Sequence, residues 1–238
     1  MALCYQLIRH DWESDFFQRE IARLEFTQSA VSQPHFDDFD LIQCKLALSE
    51  QEKITCLMDL GFEQVEGEVD YCWQLERIQP TALCFATAHD IAVLQQLVSH
   101  AFADSRFRQP WFTALQNAQF YQCWIEKAVR GAFDDVCLVE KDQNTIKGAI
   151  SVRQIDAQQA RVGLLAVNPN YRGQGVAQAL LAQASSWCAA KHIRTLWIAT
   201  QQSNGAANRL YQKIGAVIAG EAAWFYKQIT KDKNNDRI

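Results

Sequence analysis

A glycine-rich turn between an apolar strand and a long helix constrains this chain more than any other feature. The run Gly163-Leu164-Leu165-Ala166-Val167-Asn168-Pro169 leads into Arg172-Gly173-Gln174-Gly175-Val176-Ala177, and a helix is expected from about Gly175 to Lys191. Glycines let a backbone approach a ligand closely, and the first N–H groups of a helix have no partner within it. With the helix dipole they form a ready site for a diphosphate. Arg172 adds a cation suited to charge-assisted hydrogen bonds with phosphate oxygens. Two other phosphate patterns are excluded. A dinucleotide fingerprint needs a third glycine where Ala177 and Gln178 stand, and a P-loop needs Gly-Lys-Ser/Thr.

Around this turn the second half of the chain alternates strands and helices. Strands are expected at Leu83–Ala86, Val136–Val139, Lys147–Val152, Arg161–Val167 and Leu196–Ala199. The pair Val136–Val139 and Lys147–Val152 is joined by a turn at Lys141–Asn144. Asp90 is placed to cap a helix carrying Ile91, Leu94, Leu97 and Val98, and a second helix covers about Phe120 to Val129. Asn204 begins a helix that ends at Ile214-Gly215, where glycine suits the left-handed cap. Two closing strands follow, near Val217–Gly220 and Ala223–Tyr226.

The first 80 residues echo that ending: a helix over Glu50–Leu60, then Gly61, a strand, Gly67-Glu68 and a second strand to Leu75. The expected organisation is a smaller α/β half-domain over 1–79, a main domain over 80–229 and a charged tail over 230–238, frayed from Lys231 to Arg237. The division falls at Gln79-Pro80-Thr81, where proline disfavours regular structure.

Composition narrows the setting. A net charge of −4 gives no general reason for nucleic-acid binding. No stretch reaches the roughly 18 apolar residues of a membrane span, and Met1–His10 has no signal-peptide run. The eight cysteines are scattered without metal-ligand spacing, which points to reduced thiols in the cytoplasm and to no metal. Without a paired histidine they offer no activated nucleophile, so transfer through a covalent enzyme intermediate is not expected.

Arg172, Gly175 and Ala177 match the R/Q-x-x-G-x-G/A signature of the GCN5-related N-acetyltransferase (GNAT) superfamily, which the chain resembles from about Thr81 to Lys227. The resemblance implies a mixed central β-sheet flanked by helices, preceded here by a degenerate half-domain of the same kind. It implies acetyl-CoA as cosubstrate, held by Leu165, Ala166 and Val167 of a splayed strand, by Arg172, Gly173, Gln174, Gly175, Val176 and Ala177, and by Asn204. A strand amide would polarise the thioester carbonyl. Tyr211, two helical turns after Asn204, matches the superfamily's general acid, which protonates the departing CoA sulfur. Glu68, Asp70, Glu126 and His89 have the chemistry of a base, yet each has an ordinary reading as a surface or capping residue; a water relay is the alternative.

Longer runs resemble one family within that superfamily, the dTDP-fucosamine acetyltransferases. They are Gly67–Asp70, Ala101–Trp111, Tyr121–Gly131 and Ala160–Ala166. That resemblance implies acetylation of the 4-amino group of dTDP-4-amino-4,6-dideoxy-D-galactose, for enterobacterial common antigen. A nucleotide-sugar needs cations for its diphosphate, and Arg106, Arg108 and Arg130 stand in the matching runs, with Trp111 able to stack on thymine or sugar. Other acceptors stay open, among them another small amine and a protein N-terminus. So does a non-catalytic acyl-CoA sensor, although a decayed site has no need to keep Arg172, Gly175 and Tyr211 together. A homodimer is expected by analogy alone, because the final strands of such folds often pair across subunits.

Overall fold

A computed structural model describes residues 3–28, 35–76 and 79–230, so the expected frayed tail from Lys231 lies outside the described residues. In chain order the elements are β1 (Cys4–Arg9), α1 (Asp11–Phe17), β2 (Ile21–Thr27), β3 (Leu41–Ala47), α2 (Gln51–Asp59), β4 (Glu63–Gln74), α3 (Ile91–Ala101) and α4 (Ala114–Val129). There follow β5 (Val136–Asp142), β6 (Thr145–Gln154), β7 (Gln159–Val167), α5 (Val176–Ala190), β8 (Thr195–Gln201), α6 (Gly205–Lys213) and β9 (Val217–Gln228). Among the described residues no helix is long and apolar enough to cross a membrane.

Two compact units emerge, residues 1–68 with 220–238 and residues 69–219. The expected division at residue 79 does not coincide with them: their boundaries fall inside β4 and inside β9. In the smaller unit the strands run β1-β2-β3-β9-β4. β1 and β2 pair antiparallel, β2 and β3 parallel, β3 and β9 antiparallel. Its core gathers Ala22, Leu24, Ile42, Cys44, Leu57, Phe62 and Phe225.

In the larger unit the order is β4-β8-β7-β6-β5. β5, β6 and β7 are antiparallel neighbours, and β7 is parallel to β8. α5 and α6 share one core with the sheet, in which Leu180, Leu181, Ala184, Trp187 and Tyr211 meet Val69, Tyr71, Leu138, Ile150, Val162, Leu196 and Ile198. The residues between these along each strand point to the opposite face. α3 and α4 pack on one another and over β5, β6 and β7 there.

The echo between the two chain ends is geometric. α2 and α6 each have nine residues, each is followed by a glycine at positive φ (Gly61 at 80°, Gly215 at 88°), and each leads into a 12-residue strand. Phe62 N donates to Leu57 O and Ala216 N to Tyr211 O, the same closing bond of the helix end. Leu57 therefore stands where the larger unit carries Tyr211.

Local expectations shift in five places, the first being that the two strands expected on either side of Gly67-Glu68 are the single strand β4. Leu83–Ala86 makes only the bridge Phe85 to Leu138, with bonds from Ala86 N to Cys137 O and from Val139 N to Cys84 O. α4 starts at Ala114 because Thr113 and Gln116 form a capping box. The β5–β6 turn is confined to Gln143-Asn144. The two closing strands are one, β9, since Gly220 continues extended rather than breaking it.

Candidate active site

Pro169–Tyr171 forms a single 3₁₀ turn, capped by the Asn168 side chain, and delivers Arg172 into extended backbone. Gly173 (φ 74°) and Gly175 (φ 81°) lie in the left-handed region that glycine tolerates. Gly175 is the N-cap of α5 and offers no side chain to its amides. A Cβ added at either glycine would meet nothing within 4 Å, so both open outward. Arg172, Gly173, Gln174 and Gly175 are exposed. Donors without side-chain caps, open space and one exposed guanidinium fit a diphosphate. Arg172 also borders a cavity of about 230 Å³ shared by Val93, Leu97 and His100 of α3 with Val167, Asn168 and Pro169.

Beside this turn the parallel strands part. β7 and β8 stay in register only through Gln159–Thr195, Ala160–Leu196 and Arg161–Trp197, while the strands continue to Val167 and Gln201. Asn168 N donates to Lys147 O, so it faces β6, as does Leu164 N. In an extended strand a residue's N–H and C=O share one side and its neighbours take the other. The peptide groups of Leu165 and Val167 therefore face the gap that β8 leaves, and those of Ala166 face β6.

The splay begins at a bulge. Ile150 pairs with Leu165 and Val152 with Val162, so Ser151 alone opposes Gly163 and Leu164. Ser151 Oγ accepts from Leu164 N at 2.9 Å and donates to Asp134 Oδ2 at 2.5 Å, and Trp124 Nε1 donates to the same oxygen at 2.9 Å. Asp134 and Ser151 are fully buried. Gly163 is required here by space, since a Cβ would come within 2.3 Å of Asp134 Oδ2. Nothing in the local sequence announced this support, because its three residues lie on a loop and two strands.

Tyr211, 4% exposed, sits in the core that α5 and α6 share with the sheet. Burial, and then the neighbouring Tyr71, push its hydroxyl well above the ordinary tyrosine value, so the phenol keeps its proton. Tyr71 Oη donates to Asn208 Oδ1 at 2.9 Å, and Asn208 Nδ2 bonds the carbonyls of Gln201, Gln202 and Asn204. Asn208 thus ties α6 to the end of β8. Asn204 is the N-cap of α6, its Oδ1 accepting from Ala207 N at 3.1 Å.

The expected acceptor residues do not form one cluster. Arg108 Nη1 donates to the carbonyls of Asp104 and Ser105, and Trp111 is buried. Arg106 lies 4.0 Å over the ring of Phe107. Arg130 is at the far end of α4, paired with Glu126, and a 16-residue helix spans ~24 Å from the loop that carries the other two. Asn117 staples that loop, bonding the carbonyls of Phe102 and Phe107 and the Ser105 hydroxyl; the loop also accepts from Gln201 Nε2 through Asp104 O. The carboxylates considered as bases are engaged. Glu68 binds Lys45 and Trp224, Asp70 binds Arg161, and Glu126 binds Arg130 and Gln95.

A glycine turn suited to a diphosphate and a bulged strand splayed from its parallel neighbour are what an acyl-CoA site needs, and the acetyltransferase (GNAT) family model matches residues 94–216. The chain belongs to this family. Its sequence is 37% identical over 219 residues to dTDP-fucosamine acetyltransferase of Escherichia coli O6:H1, covering 91% of this chain and 95% of that protein. In fold it is similar to a GCN5-related N-acetyltransferase from Sphaerobacter thermophilus, at 18% identity and a TM-score of 0.58, with 80% of this chain matched and 60% of that one spanned. A tandem GNAT protein from the clavulanic acid biosynthesis pathway gives 0.56 at 11% identity, covering 89% of this chain and 76% of that one.

Proposed function

We propose that this acetyltransferase transfers an acetyl group from acetyl-CoA to the 4-amino group of dTDP-4-amino-4,6-dideoxy-D-galactose. The observation that carries the acceptor is the 37% identity to dTDP-fucosamine acetyltransferase across 91% of the chain, well beyond the stretch that the general family model covers. Eight free thiols suit a reducing, cytoplasmic setting.

Acetyl-CoA supplies an activated thioester; the chain supplies the rest. The amides from Gly173 to Ala177 and the Arg172 guanidinium hold the diphosphate, and the peptide groups of Leu165 and Val167 align the pantetheine arm in the gap. An N–H in that gap stabilises charge developing on the carbonyl oxygen. The acceptor amine attacks the carbonyl carbon, the carbon–sulfur bond breaks, and Tyr211 Oη gives its proton to the departing sulfur. The proton lost from the amine leaves through water in this reading, Glu68, Asp70 and Glu126 being held in ion pairs and His89 standing exposed in the turn before α3.

The test is thiol release by purified protein given acetyl-CoA and a panel of nucleotide-aminosugars. Release is expected with dTDP-4-amino-4,6-dideoxygalactose above the other amines. Cofactor binding without acceptor-dependent release overturns the reading in favour of an acyl-CoA sensor.

A further inference from the structure

Along β4, β7 and β8 the side chains alternate between two faces, and around the last β7–β8 pair only one of them is packed. Val69, Tyr71, Ala160, Val162, Leu196 and Ile198 point into the core shared with α5 and α6. Between them Asp70, Cys72, Gln159, Arg161 and Trp197 point the other way and are half-buried, and Ala199 is exposed. Under α3 and α4, by contrast, Cys137, Val139, Ala149 and Ser151 on that same face are fully buried. The larger unit therefore leaves open the part of this face that lies around the last β7–β8 pair.

The central ring on this open floor is fixed from two sides. Trp197 Nε1 donates to Gln159 Oε1 at 2.7 Å, and Arg161 Cζ lies 5.9 Å from the indole centroid. Arg161 in turn makes two parallel bonds to Asp70, at 3.0 and 2.9 Å, which use both carboxylate oxygens. The floor thus presents a held aromatic ring beside a neutralised ion pair, with no net charge to repel an ammonium group. Arg161 and Trp197 are also the last pair before the strands separate, at the vertex of the gap. In the mechanism proposed above the pantetheine arm runs from the glycine turn down this gap toward its vertex, which puts the transferred group beside Trp197.

We propose that Trp197 is the platform of the acceptor site, the ring on which the sugar of a nucleotide-aminosugar packs, and so a specificity-determining residue. The proposal rests on the nucleotide-sugar reading above. A pyranose has one face rich in C–H groups, and a 6-deoxy sugar adds a methyl. Such a surface gains dispersion and buried area against a flat indole while its hydroxyls stay outward. Gln159 and Arg161 hold the ring in advance, so little ordering is left for the acceptor to impose.

The test compares wild type, Trp197→Phe and Trp197→Ala with acetyl-CoA and the nucleotide-aminosugar that wild type turns over fastest. Trp197→Ala is expected to raise the acceptor KM about tenfold or more and to leave the acetyl-CoA Kd within about twofold, while Trp197→Phe stays within about threefold of wild type. An unchanged acceptor KM in Trp197→Ala overturns the platform and leaves the function intact. Should the alanine variant fail to fold, indole fluorescence decides: quenching by the acceptor is expected in wild type and absent in Trp197→Phe, and equal quenching in both overturns it. Wild type that acetylates no nucleotide-aminosugar sinks the functional reading itself, and the platform with it.

Discussion

The rings of Tyr71 and Tyr211 meet edge to face, with centroids 5.4 Å apart and planes inclined by 66°. Tyr71 is itself anchored by its bond to Asn208, three residues before Tyr211 on α6. The contact therefore fixes the phenol from β4 and from its own helix at once. Edge-to-face pairs contribute about 0.5–1.5 kcal/mol beyond their buried area. The general-acid role proposed for Tyr211 requires the phenol to keep its proton until the sulfur leaves, and burial favours this by disfavouring the phenolate.

Tyr211→Phe keeps the ring and its contact with Tyr71 and removes only the hydroxyl, with the proton it would give. Turnover should fall roughly 100-fold or more, with the acetyl-CoA Kd nearly unchanged. Because the phenol is held above its ordinary value of 10.0, any fall in wild-type rate below that pH belongs to another group. Steady-state kinetics with calorimetry checks both points, and wild-type turnover in Tyr211→Phe removes the residue from the mechanism.

Gly175→Trp addresses the turn. The glycine opens into free space, so an indole there would fill the region in front of the α5 amides instead of striking the core. Its φ of 81° adds strain of about 1 kcal/mol for a residue with a Cβ. Loss of acetyl-CoA binding by calorimetry is expected, with a cooperative thermal transition retained. Unchanged affinity would mean that the diphosphate is held elsewhere.

These features differ in how readily the sequence discloses them. The glycine turn is contiguous, so its glycines, the preceding apolar run and the following helix could be read together. The helix from Asn204 to Ile214 that carries Tyr211 was legible from its cap and its closing glycine. The joint of Asp134, Ser151 and Gly163 was not, because it unites residues 12 to 29 positions apart through side-chain bonds that no periodicity encodes. Arg130 was misgrouped with Arg106 and Arg108 because proximity in sequence is undone by the straight run of α4. The inner division at residue 79 failed to match the compact units for a related reason: β4 and β9 carry their pairing across the expected boundary, and strand pairing is non-local.

The bulge yields a third prediction. In Gly163→Ala the new methyl collides with a carboxylate that is buried and bonded twice, so the neighbour cannot swing away. Overpacking of this kind costs about 1–3 kcal/mol. Ser151→Ala instead leaves Leu164 N without its acceptor, at a cost of about 1–3 kcal/mol. Both should lower kcat more than they raise the acetyl-CoA KM, since the bulge sets the aim of the Leu165 peptide group and leaves the phosphate turn alone. Denaturant titration and initial rates test this, and full stability with full activity in Gly163→Ala would contradict the packing described.

Alkaline stability gives the fourth. Burial pushes the thiols of Cys44, Cys137 and Cys188 from 9.0 up to about 12, with nearby Glu50 adding to the effect at Cys44 and Asp134 at Cys137. In the unfolded chain these thiols ionise near 9, whereas the folded chain keeps them protonated until about 12. Between those values the unfolded state sheds protons that the native state retains, so stability is full below pH 9 and falls as pH rises toward 12. Each such thiol costs roughly 1.4 kcal/mol per pH unit, about 4 kcal/mol for the three together. Tyr211, raised in the same direction, adds to the loss above pH 10. Urea midpoints should therefore hold steady from pH 7 to about 9 and then drop steeply, and Cys188→Ala should lessen the slope by about a third. A midpoint that stays level to pH 10.5 would mean that these thiols reach water in the native state.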